Sequence, residues 1–315
     1  MTAVLLQPKE MGLIPALEVV SLVVDESGMR LDKYVAERLP DLSRTQAQKL
    51  VSDGLVTVND QVAKAGLKLS VGDRVKVTLP PSPIKPLSPE TMPLNIVYED
   101  DDLLVINKPA GLVVHPASGH PSHTLINAVL SHVPHLPETD DLRRPGVVHR
   151  LDKDASGLMV VAKNSAALLN LINQFKARSV VKAYLVLVKG RLTPDDGVIE
   201  APIGRDPRNR KRMAVVAEGE GREARTRYHV IRHIGDYSFI EVRPETGRTH
   251  QIRVHLSAIG YPVVGDRVYG ARSAQLPRLF LHACRLGFKL PATGEYKEFT
   301  SNLPADLEKL LEEIG

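Results

Sequence analysis

The stretch GVVHRLDKDASGLMVVAKN, residues 146–164, decides the fold, because apolar runs stand on both sides of a short polar segment. This pattern predicts two strands joined by a loop. At the end of the first strand, Arg150 and Asp152 stand two residues apart, and their side chains should lie on the same side of the chain. A carboxylate presented in this way could act as a nucleophile or a general base. The alternative is a surface loop that carries an ion pair.

The spacing of the acidic residues in this segment also resembles a calcium-binding loop. The residues that match positions 1, 3, 5 and 6 of an EF-hand loop are Asp152, Asp154, Ser156 and Gly157. Position 12, which supplies a bidentate glutamate in that motif, would be Lys163. Because Lys163 is a cation and a strand rather than a helix should follow, the sequence predicts no calcium site.

On either side of this segment the sequence predicts further strands and two helices. IVYEDDDLLVINKPAGLVVH, residues 96–115, indicates paired strands, and TLINAVLSHV, residues 124–133, indicates a helix. Asn164 can cap a second helix, whose buried face would contain Leu168, Leu169, Ile172 and Phe175. KAYLVLVKG, residues 182–190, is typical of a buried strand.

The order of these elements predicts the class of fold. The sequence has no regular alternation of strands and helices and no glycine-rich phosphate loop, which argues against a doubly wound parallel sheet. We therefore predict an α+β protein, in which a large mixed or mainly antiparallel sheet is flanked by helices.

A second polar segment, ETGRTHQIRVH, occupies residues 245–255. If a helix begins near Thr249, then His250, Arg253 and Ser257 fall near one face, and Arg253 could project its guanidinium into a cleft. His250 and His255 are five residues apart rather than four, and no carboxylate completes a zinc site. The segment therefore predicts a basic wall of a cleft and no metal centre.

A proline-rich stretch divides the chain. Six of residues 80–93 are proline, a density that prevents ladder hydrogen bonding and favours an extended, semi-rigid linker. A chain of 315 residues has room for two domains of roughly 150 residues. We predict an N-terminal extension at 1–25, a small domain at 26–79, a linker at 80–94 and a large domain at 95–315.

The small domain resembles a known RNA-binding module. MRLDKYVAERLP and SRTQAQKLVSDG, within residues 29–54, predict two helices, and the alternating residues after them predict short strands. With VGDRVKV, these phrases resemble the alpha-L RNA-binding domain named for the fourth protein of the small ribosomal subunit. In that family the second helix and the following turn hold RNA, which implies backbone contacts from Ser43, Arg44, Gln48 and Lys49. The alternative is a solvated helix face.

Basic residues are concentrated in the last third of the chain. Residues 201–315 contain 19 basic and 14 acidic side chains, which favours a polyanion-binding surface there. The densest run comprises Arg205, Arg208, Arg210, Lys211 and Arg212. These residues could grip RNA phosphates, and a solvated loop is the alternative.

Four motifs carry a resemblance that covers nearly all of residues 95–315. They are GVVHRLDKDASGLMVVAKN, KAYLVLVKG, RPETGRTHQIRVHLSAIGYPVVGDRVYG and LFLHACRLGF. In this order they resemble the RluA/RluD family of RNA pseudouridine synthases. Together with the small domain they are most similar to the RluD/RluC branch, which modifies uridines in large-subunit ribosomal RNA.

This resemblance implies a role for each of four residues. The invariant aspartate of the family falls on Asp152, the base-displacing arginine on Arg150, the active-site tyrosine on Tyr184 and the aspartate-pairing arginine on Arg253. A nearby guanidinium favours the charged form of an aspartate, and a tyrosine ring can stack on uracil. We further predict contacts to RNA or to the flipped base from His149, Arg248 and His250.

The sequence thus predicts an RNA pseudouridine synthase, a cytoplasmic monomer that needs neither metal nor organic cofactor. Its partner would be large-subunit ribosomal RNA or a pre-ribosomal particle, and not a membrane, since no apolar run approaches ~20 residues. The single Cys284 excludes an intrachain disulfide. Two alternatives stay open: a non-catalytic RNA-binding ribosome-assembly factor, and an N-glycoside hydrolase that uses Asp152 and Asp154 as a carboxylate pair.

Overall fold

The computed structural model describes residues 18–39, 42, 44–79, 87–117, 119–139, 141, 143–209, 212–270 and 278–315. The chain divides into two compact units between residues 85 and 86. Residues 1–17 of the predicted extension and residues 80–86 of the predicted linker lie outside the described residues. Within the described ranges, no helix is long and apolar enough to cross a membrane.

The smaller unit is an antiparallel sheet packed against two helices. Its elements are β1 (Glu18–Val23), α1 (Leu31–Arg38), α2 (Arg44–Ser52), β2 (Val56–Val58), β3 (Gln61–Val62) and β4 (Arg74–Leu79). The strand order is β1-β4-β2-β3, and each neighbouring pair is antiparallel. The two predicted helices and the strands that follow them are confirmed.

Strand β1 corrects the predicted start of the small domain at residue 26. All six residues of β1 pair with β4, so residues 18–23 belong to the sheet rather than to an extension. The physical reason is that β4 is an interior strand, whose backbone needs hydrogen-bond partners on both edges. β2 satisfies one edge, and β1 satisfies the other.

The core of the smaller unit forms where both helices meet the sheet. Leu31 and Val35 of α1, Val51 of α2 and Val77 of β4 are buried in one cluster. Leu31 and Val35 are four residues apart and therefore lie on the same side of α1. This packing fixes both helices and leaves one face of α2 exposed.

The larger unit is built on one mixed sheet. Its elements are β5 (Ile96–Glu99), β6 (Leu103–Lys108), α3 (Leu125–His132), β7 (Ser156–Ala162), α4 (Ser165–Lys176), β8 (Val181–Lys189), β9 (Asp196–Glu200), β10 (Ile203–Arg205), β11 (Met213–Val215), β12 (Arg225–Ile234), β13 (Tyr237–Pro244), α5 (Gln251–Ala258), β14 (Leu281–Lys289), β15 (Tyr296–Thr300) and α6 (Ala305–Ile314). The strand order is β5-β6-β7-β14-β8-β13-β12-β9, β15 pairs with β14, and β10 and β11 form a separate hairpin. The β7–β14 pair is parallel and the other pairs are antiparallel. The predicted α+β class with a mixed sheet flanked by helices is confirmed.

Strand β7 is buried along its whole length, which explains its apolar sequence. Its side chains alternate between two clusters: Met159 and Val161 face one, and Leu158 and Val160 face the other. Helices α3 and α5 contribute to the first cluster, and α4 contributes to the second. Helices therefore cover both faces of the sheet at β7.

Helix α4 begins as predicted, and of its four predicted face residues Leu168, Ile172 and Phe175 pack in or against the core. The side chain of Asn164 accepts a hydrogen bond from the backbone N–H of Ala167 at 2.9 Å, which confirms Asn164 as the N-cap. Leu168 and Leu171 are buried, whereas Leu169 is 62% exposed, so the prediction that Leu169 faces the core is wrong. With 3.6 residues per turn, Leu169 points more than about a third of a turn away from the face that Leu168 and Leu171 share.

A glycine is required where β7 meets β14. Gly157 has a φ of +116°, and a Cβ atom there would lie 2.3 Å from the carbonyl oxygen of Ala283 on β14. Only glycine tolerates both this backbone conformation and this contact. Gly157 therefore lets β14 run close beside β7, shortly after the loop that contains Asp152.

Candidate active site

A cleft of about 600 Å³ opens in the larger unit. Its walls include residues 147–152, Tyr184 of β8 and residues 244–253. The predicted strand end at Arg150 and Asp152 is not a strand, because beyond the isolated bridge from Val147 to Val161 the chain runs as a loop to residue 155. The side chains of this loop line the cleft. If the loop were paired with a neighbouring strand, that strand would occupy the space of the cleft.

An arginine between two carboxylates lies in this cleft. Arg253, on α5, donates from Nη1 to Oδ2 of Asp152 at 2.8 Å. The same guanidinium donates to both oxygens of Asp266, from Nε at 2.7 Å and from Nη2 at 2.9 Å. The structure therefore brings together Asp152 and Arg253, which the sequence had placed in one site although they are 101 residues apart.

Asp266 fixes the position of this arginine, and sequence reasoning missed it. Asp266 is 1% exposed, and its Oδ1 also accepts the backbone N–H groups of Val268 at 2.8 Å and Tyr269 at 3.1 Å. Burial opposes the charge on Arg253, but the hydrogen bonds and charges of Asp266 and Asp152 outweigh it and raise the pKa of Arg253 above its usual value. The available signal was an aspartate inside the quoted motif, in GDRVYG.

A buried lysine holds the loop that contains Asp152. Lys108, at the end of β6, is fully buried and its Nζ donates to the carbonyls of Pro109 at 2.9 Å, Leu112 at 2.9 Å and Lys153 at 3.1 Å. Burial lowers the pKa of Lys108 to about 7, while the negative charge of Asp152 acts against that lowering. Sequence reasoning had included this lysine in the paired strands of residues 96–115 and given it no role.

Tyr184 lies on β8 in the wall of the same cleft. It is paired across the sheet with Val242 of β13 and Ala283 of β14, and it packs against the main core. Burial raises the pKa of Tyr184, and the negative charge of Asp152 adds to the increase. Its hydroxyl therefore stays protonated and can donate a hydrogen bond.

The two residues before Leu151 differ in what they can contact. Arg150 is exposed at the cleft. The ring of His149 is instead held by the fold: its Nε2 accepts the backbone N–H of Val160 at 3.0 Å, and it stacks on Phe175 with 4.8 Å between centroids. Burial lowers the pKa of His149 to about 3. Nε2 of His149 is therefore already used within the fold, and the predicted RNA contact from this residue cannot be made through that atom.

The start of α5 is fixed by its own polar residues. Gln251 donates from Nε2 to the hydroxyl of Thr226 at 2.9 Å, and its Oε1 accepts the backbone N–H of Arg248 at 3.0 Å. His250, the residue before the helix, has a positive φ of 56°. Arg248 and His250, both predicted contacts, lie in the cleft wall.

In the smaller unit, a buried carboxylate holds two of the predicted RNA contacts. Asp32 is fully buried and accepts hydrogen bonds from Nε of Arg44 at 3.0 Å and from Nε2 of Gln48 at 2.7 Å. Arg30 donates to both carboxylate oxygens, at 3.0 and 3.2 Å, and is the first cause of the lowered pKa of Asp32. Lys49 is exposed on α2.

The described residues of the basic run, Arg205, Arg208 and Arg212, lie in the hairpin formed by β10 and β11. Asp206 organises the described part of the loop: its carboxylate accepts the backbone N–H of Arg208 at 2.8 Å, and its own N–H donates to the carbonyl of Arg212 at 3.0 Å. Arg205 and Arg208 are exposed. Three predicted contacts lie outside the described residues: Ser43, Arg210 and Lys211.

No group of three or more histidine, cysteine, aspartate or glutamate side chains suited to a metal ion was found where the structure describes the chain. The acidic residues of the loop 152–154 therefore do not assemble with others into such a group. The cleft brings together the carboxylate of Asp152, its arginine partner and a protonated tyrosine, an arrangement suited to reaction at a carbon centre beside a positively charged wall.

Comparisons with known proteins identify the same two parts of the chain. Residues 102–258 match the RNA pseudouridylate synthase family, and residues 29–75 match the S4 domain. A Bacillus subtilis protein named uncharacterized RNA pseudouridine synthase YlyB is 45% identical over 92% of this chain and 95% of its own. Ribosomal large subunit pseudouridine synthase D of Neisseria meningitidis serogroup A is 44% identical over 90% of this chain and 78% of its own.

A solved structure agrees with these matches. Human RNA Pseudouridylate Synthase Domain Containing 1 superposes with a TM-score of 0.55 at 30% identity, over 75% of this chain and 97% of that one. This chain thus has an α+β fold with a mixed sheet and an aspartate–arginine pair in its cleft. It is also similar to named pseudouridine synthases over most of its length. The protein belongs to the family of RNA pseudouridine synthases, and its smaller unit contains an S4 domain.

Proposed function

We propose that this enzyme isomerises specific uridines of large-subunit ribosomal RNA to pseudouridine, with Asp152 as the reacting carboxylate. The observation that carries the proposal is the ion pair of Asp152 with Arg253 in the cleft. The Neisseria relative, which is named a large-subunit enzyme, supports the choice of RNA. The cytoplasmic location and the monomeric state stay predictions.

The target base must first leave its stack. Flipping a uridine out of structured RNA costs about a few kcal/mol. Arg150, exposed at the cleft, has a planar guanidinium that can fill the vacated space and bond to neighbouring bases, which a lysine would do poorly. Arg150 thus offsets part of the free energy of flipping.

The chemical step then exchanges one bond of the uracil for another. The C1′–N1 bond breaks, the uracil turns, C5 bonds to C1′, a proton leaves C5 and N1 gains one, so the composition of the RNA does not change. Asp152 must be ionised to act as nucleophile or base, and the neighbouring charge of Arg253 favours that form. Asp266 fixes Arg253 and thereby the direction from which it meets Asp152.

The detached uracil must be kept in the cleft while it turns. The ring of Tyr184 offers a surface on which uracil can stack, an interaction worth ~1–3 kcal/mol in single-strand binders. Its protonated hydroxyl lies in the same wall. We assign Tyr184 the task of holding the free base, with its hydroxyl near the proton that must leave C5.

The smaller unit would add affinity for the RNA backbone. Arg44 and Lys49 stand on the exposed face of α2, and side chains of this kind contact phosphates, which positions a protein on RNA without reading its sequence. The basic hairpin of the larger unit, with Arg208 at its exposed loop, would act in the same way. We therefore assign sequence choice to the cleft and affinity to these two surfaces.

The test is pseudouridine mapping on an unmodified large-subunit ribosomal RNA transcript, by carbodiimide labelling and primer extension. The wild-type protein should create new stops at specific uridines. Asp152→Asn should abolish them, because it removes the reacting charge while preserving the shape of the side chain. Asp154→Asn is the matched control, since Asp154 is exposed two residues away and should keep its activity.

Three results would contradict the proposal. Stops made equally by Asp152→Asn would remove the catalytic role of Asp152. If the wild-type protein binds the transcript tightly but makes no stops, on the naked RNA and on assembled subunits alike, the chain would be an RNA-binding assembly factor. Release of free uracil would instead identify a glycoside hydrolase.

A further inference from the structure

The side chain of Tyr269 joins the cleft to the basic hairpin. Its ring lies beneath two guanidinium groups, with the central carbon of Arg253 at 5.0 Å from the ring centroid and that of Arg212 at 5.1 Å. Its hydroxyl accepts the backbone N–H of Met213 at 2.8 Å and lies 2.8 Å from Nδ1 of His250. One residue thus contacts the arginine that meets Asp152 and the end of the basic loop.

Apolar packing makes this connection rigid. Ile203 of β10 and Val254 of α5 are buried in one small cluster, and Met213 of β11 and Tyr269 pack against it. The hydroxyl of Ser257, also on α5, donates to the carbonyl of Tyr269 at 2.7 Å. The hairpin is therefore packed against the same helix that carries Arg253.

The hydroxyl of Tyr269 can also set which nitrogen of His250 carries a proton. Burial lowers the pKa of His250, so the ring is neutral near pH 7 and one of its nitrogens is an acceptor. Because the Tyr269 oxygen already accepts the N–H of Met213, its own proton is available for Nδ1 of His250. This arrangement leaves the proton of the ring on Nε2, and His250 is part of the cleft wall.

We propose that Tyr269 is a positioning residue with two separable tasks. Its ring supports Arg253 in the orientation that meets Asp152, by the attraction between a cation and an aromatic face. Its hydroxyl fixes the basic hairpin and the tautomer of His250 for contact with RNA. The second task rests on the proposed function, since it assigns RNA to the cleft and to the hairpin.

The two tasks predict different defects for two substitutions in the full chain. Tyr269→Phe keeps the ring, so it should weaken binding of the ribosomal RNA transcript by about 3- to 10-fold, the worth of a hydrogen bond, with the single-turnover rate at saturating protein within about twofold of wild type. Tyr269→Leu removes the ring and should also lower that rate by about 10-fold. Tyr296→Phe is the matched control, because its hydroxyl contacts Glu298 away from the cleft.

A spectroscopic readout separates positioning from a general loss of stability. The ¹⁵N resonances of His250 should report a single Nε2–H tautomer in the wild type and in Tyr296→Phe, and a mixture in Tyr269→Phe. The proposal is overturned if Tyr269→Phe binds RNA like Tyr296→Phe with an unchanged His250 tautomer, or if it slows the chemical step without weakening binding. Failure of Tyr269→Leu to fold leaves the test to Tyr269→Phe.

A wild-type protein that makes no pseudouridine would contradict the proposed function and not this inference. In that case the RNA affinity and the His250 resonances still decide the task of the hydroxyl. An active wild-type enzyme whose Tyr269→Phe variant matches it in every readout would leave the proposed function intact and remove the inference.

Discussion

Each unit of this protein contains a buried aspartate that binds arginine, and the two clusters differ in where the arginine lies. In the larger unit, Asp266 binds Arg253, whose side chain is 10% exposed and also contacts Asp152. In the smaller unit, Asp32 binds Arg30 and Arg44, whose side chains are 48% and 55% exposed. The same chemical pairing is therefore enclosed within the protein in one cluster and reaches its surface in the other.

The difference in burial decides what each cluster can do. A buried guanidinium cannot reorient freely, so Arg253 is aimed at one partner and favours its charge. A half-exposed guanidinium is screened by water and remains able to meet a polyanion, while its carboxylate limits how far it can move. We expect the first cluster to matter for chemistry and stability together, and the second mainly for binding.

The largest effect should follow from breaking the buried cluster. Asp266→Asn leaves Arg253 buried with half of its charge partners, and loss of one partner of a buried pair costs ~3–5 kcal/mol. We expect the free energy of unfolding in urea to fall by that order and pseudouridine formation to be lost. Asp306→Asn is the control, because Asp306 also binds an arginine in two places but is 52% exposed. Equal losses in both variants would contradict the distinction by burial.

A smaller effect on stability should follow from breaking the surface cluster. In Asp32→Asn the screened arginines contribute little, so the loss is that of the hydrogen bonds to a buried acceptor, ~1–3 kcal/mol. RNA affinity should fall because Arg30 and Arg44 are no longer held, while the single-turnover rate at saturating protein stays at the wild-type level. Asp53→Asn, exposed after α2, is the control. A slower chemical step in Asp32→Asn would contradict the conclusion that the surface cluster serves mainly in binding.

The effect that is smallest near neutral pH distinguishes the units by their response to acid. Residues 1–79 contain no histidine, whereas His149 in the larger unit has its pKa lowered from 6.5 to about 3. Between these values the unfolded chain binds a proton at His149 that the folded chain does not, so stability falls as the pH falls through this window. His149→Gln should reduce the dependence of the free energy of unfolding on pH, by up to ~1.4 kcal/mol per pH unit. Hydrogen exchange in the larger unit, measured over this pH range, gives that dependence. An unchanged slope would mean that His149 does not stay neutral in the fold.

Four residues of the candidate site were predicted from the sequence: Arg150, Asp152 and Arg253 by their place in polar segments between apolar runs, and Tyr184 by the resemblance to the family. All four line the cleft. The sequence did not identify the residues that hold them. Lys108 and Asp266 hold the site because they are buried and because they bond to backbone groups or to residues far away in the chain. The order of residues in the sequence shows neither their burial nor these bonds.

The local predictions that were wrong have a common physical cause. Leu169 matched the apolar pattern of α4 but lies outside the face of the helix that packs on the sheet. A tertiary contact thus chose between neighbours that are equivalent in sequence. The same holds for β1, whose strand character depends on the open edge of β4.

The place of β14 in the sheet has a consequence for the order in which this protein can be built. β7 and β8 follow one another closely in the chain, yet β14, about a hundred residues later, lies between them. A ribosome that has made β8 has therefore released two strands with a gap between them, and both keep unpaired edges until residue 289 emerges. Such edges attract other strands, so we expect incomplete chains of this enzyme to be targets for chaperones and proteases. Arg253 too is absent from any chain that stops before α5, so an unfinished product would contain its aspartate without the partner that sustains its charge.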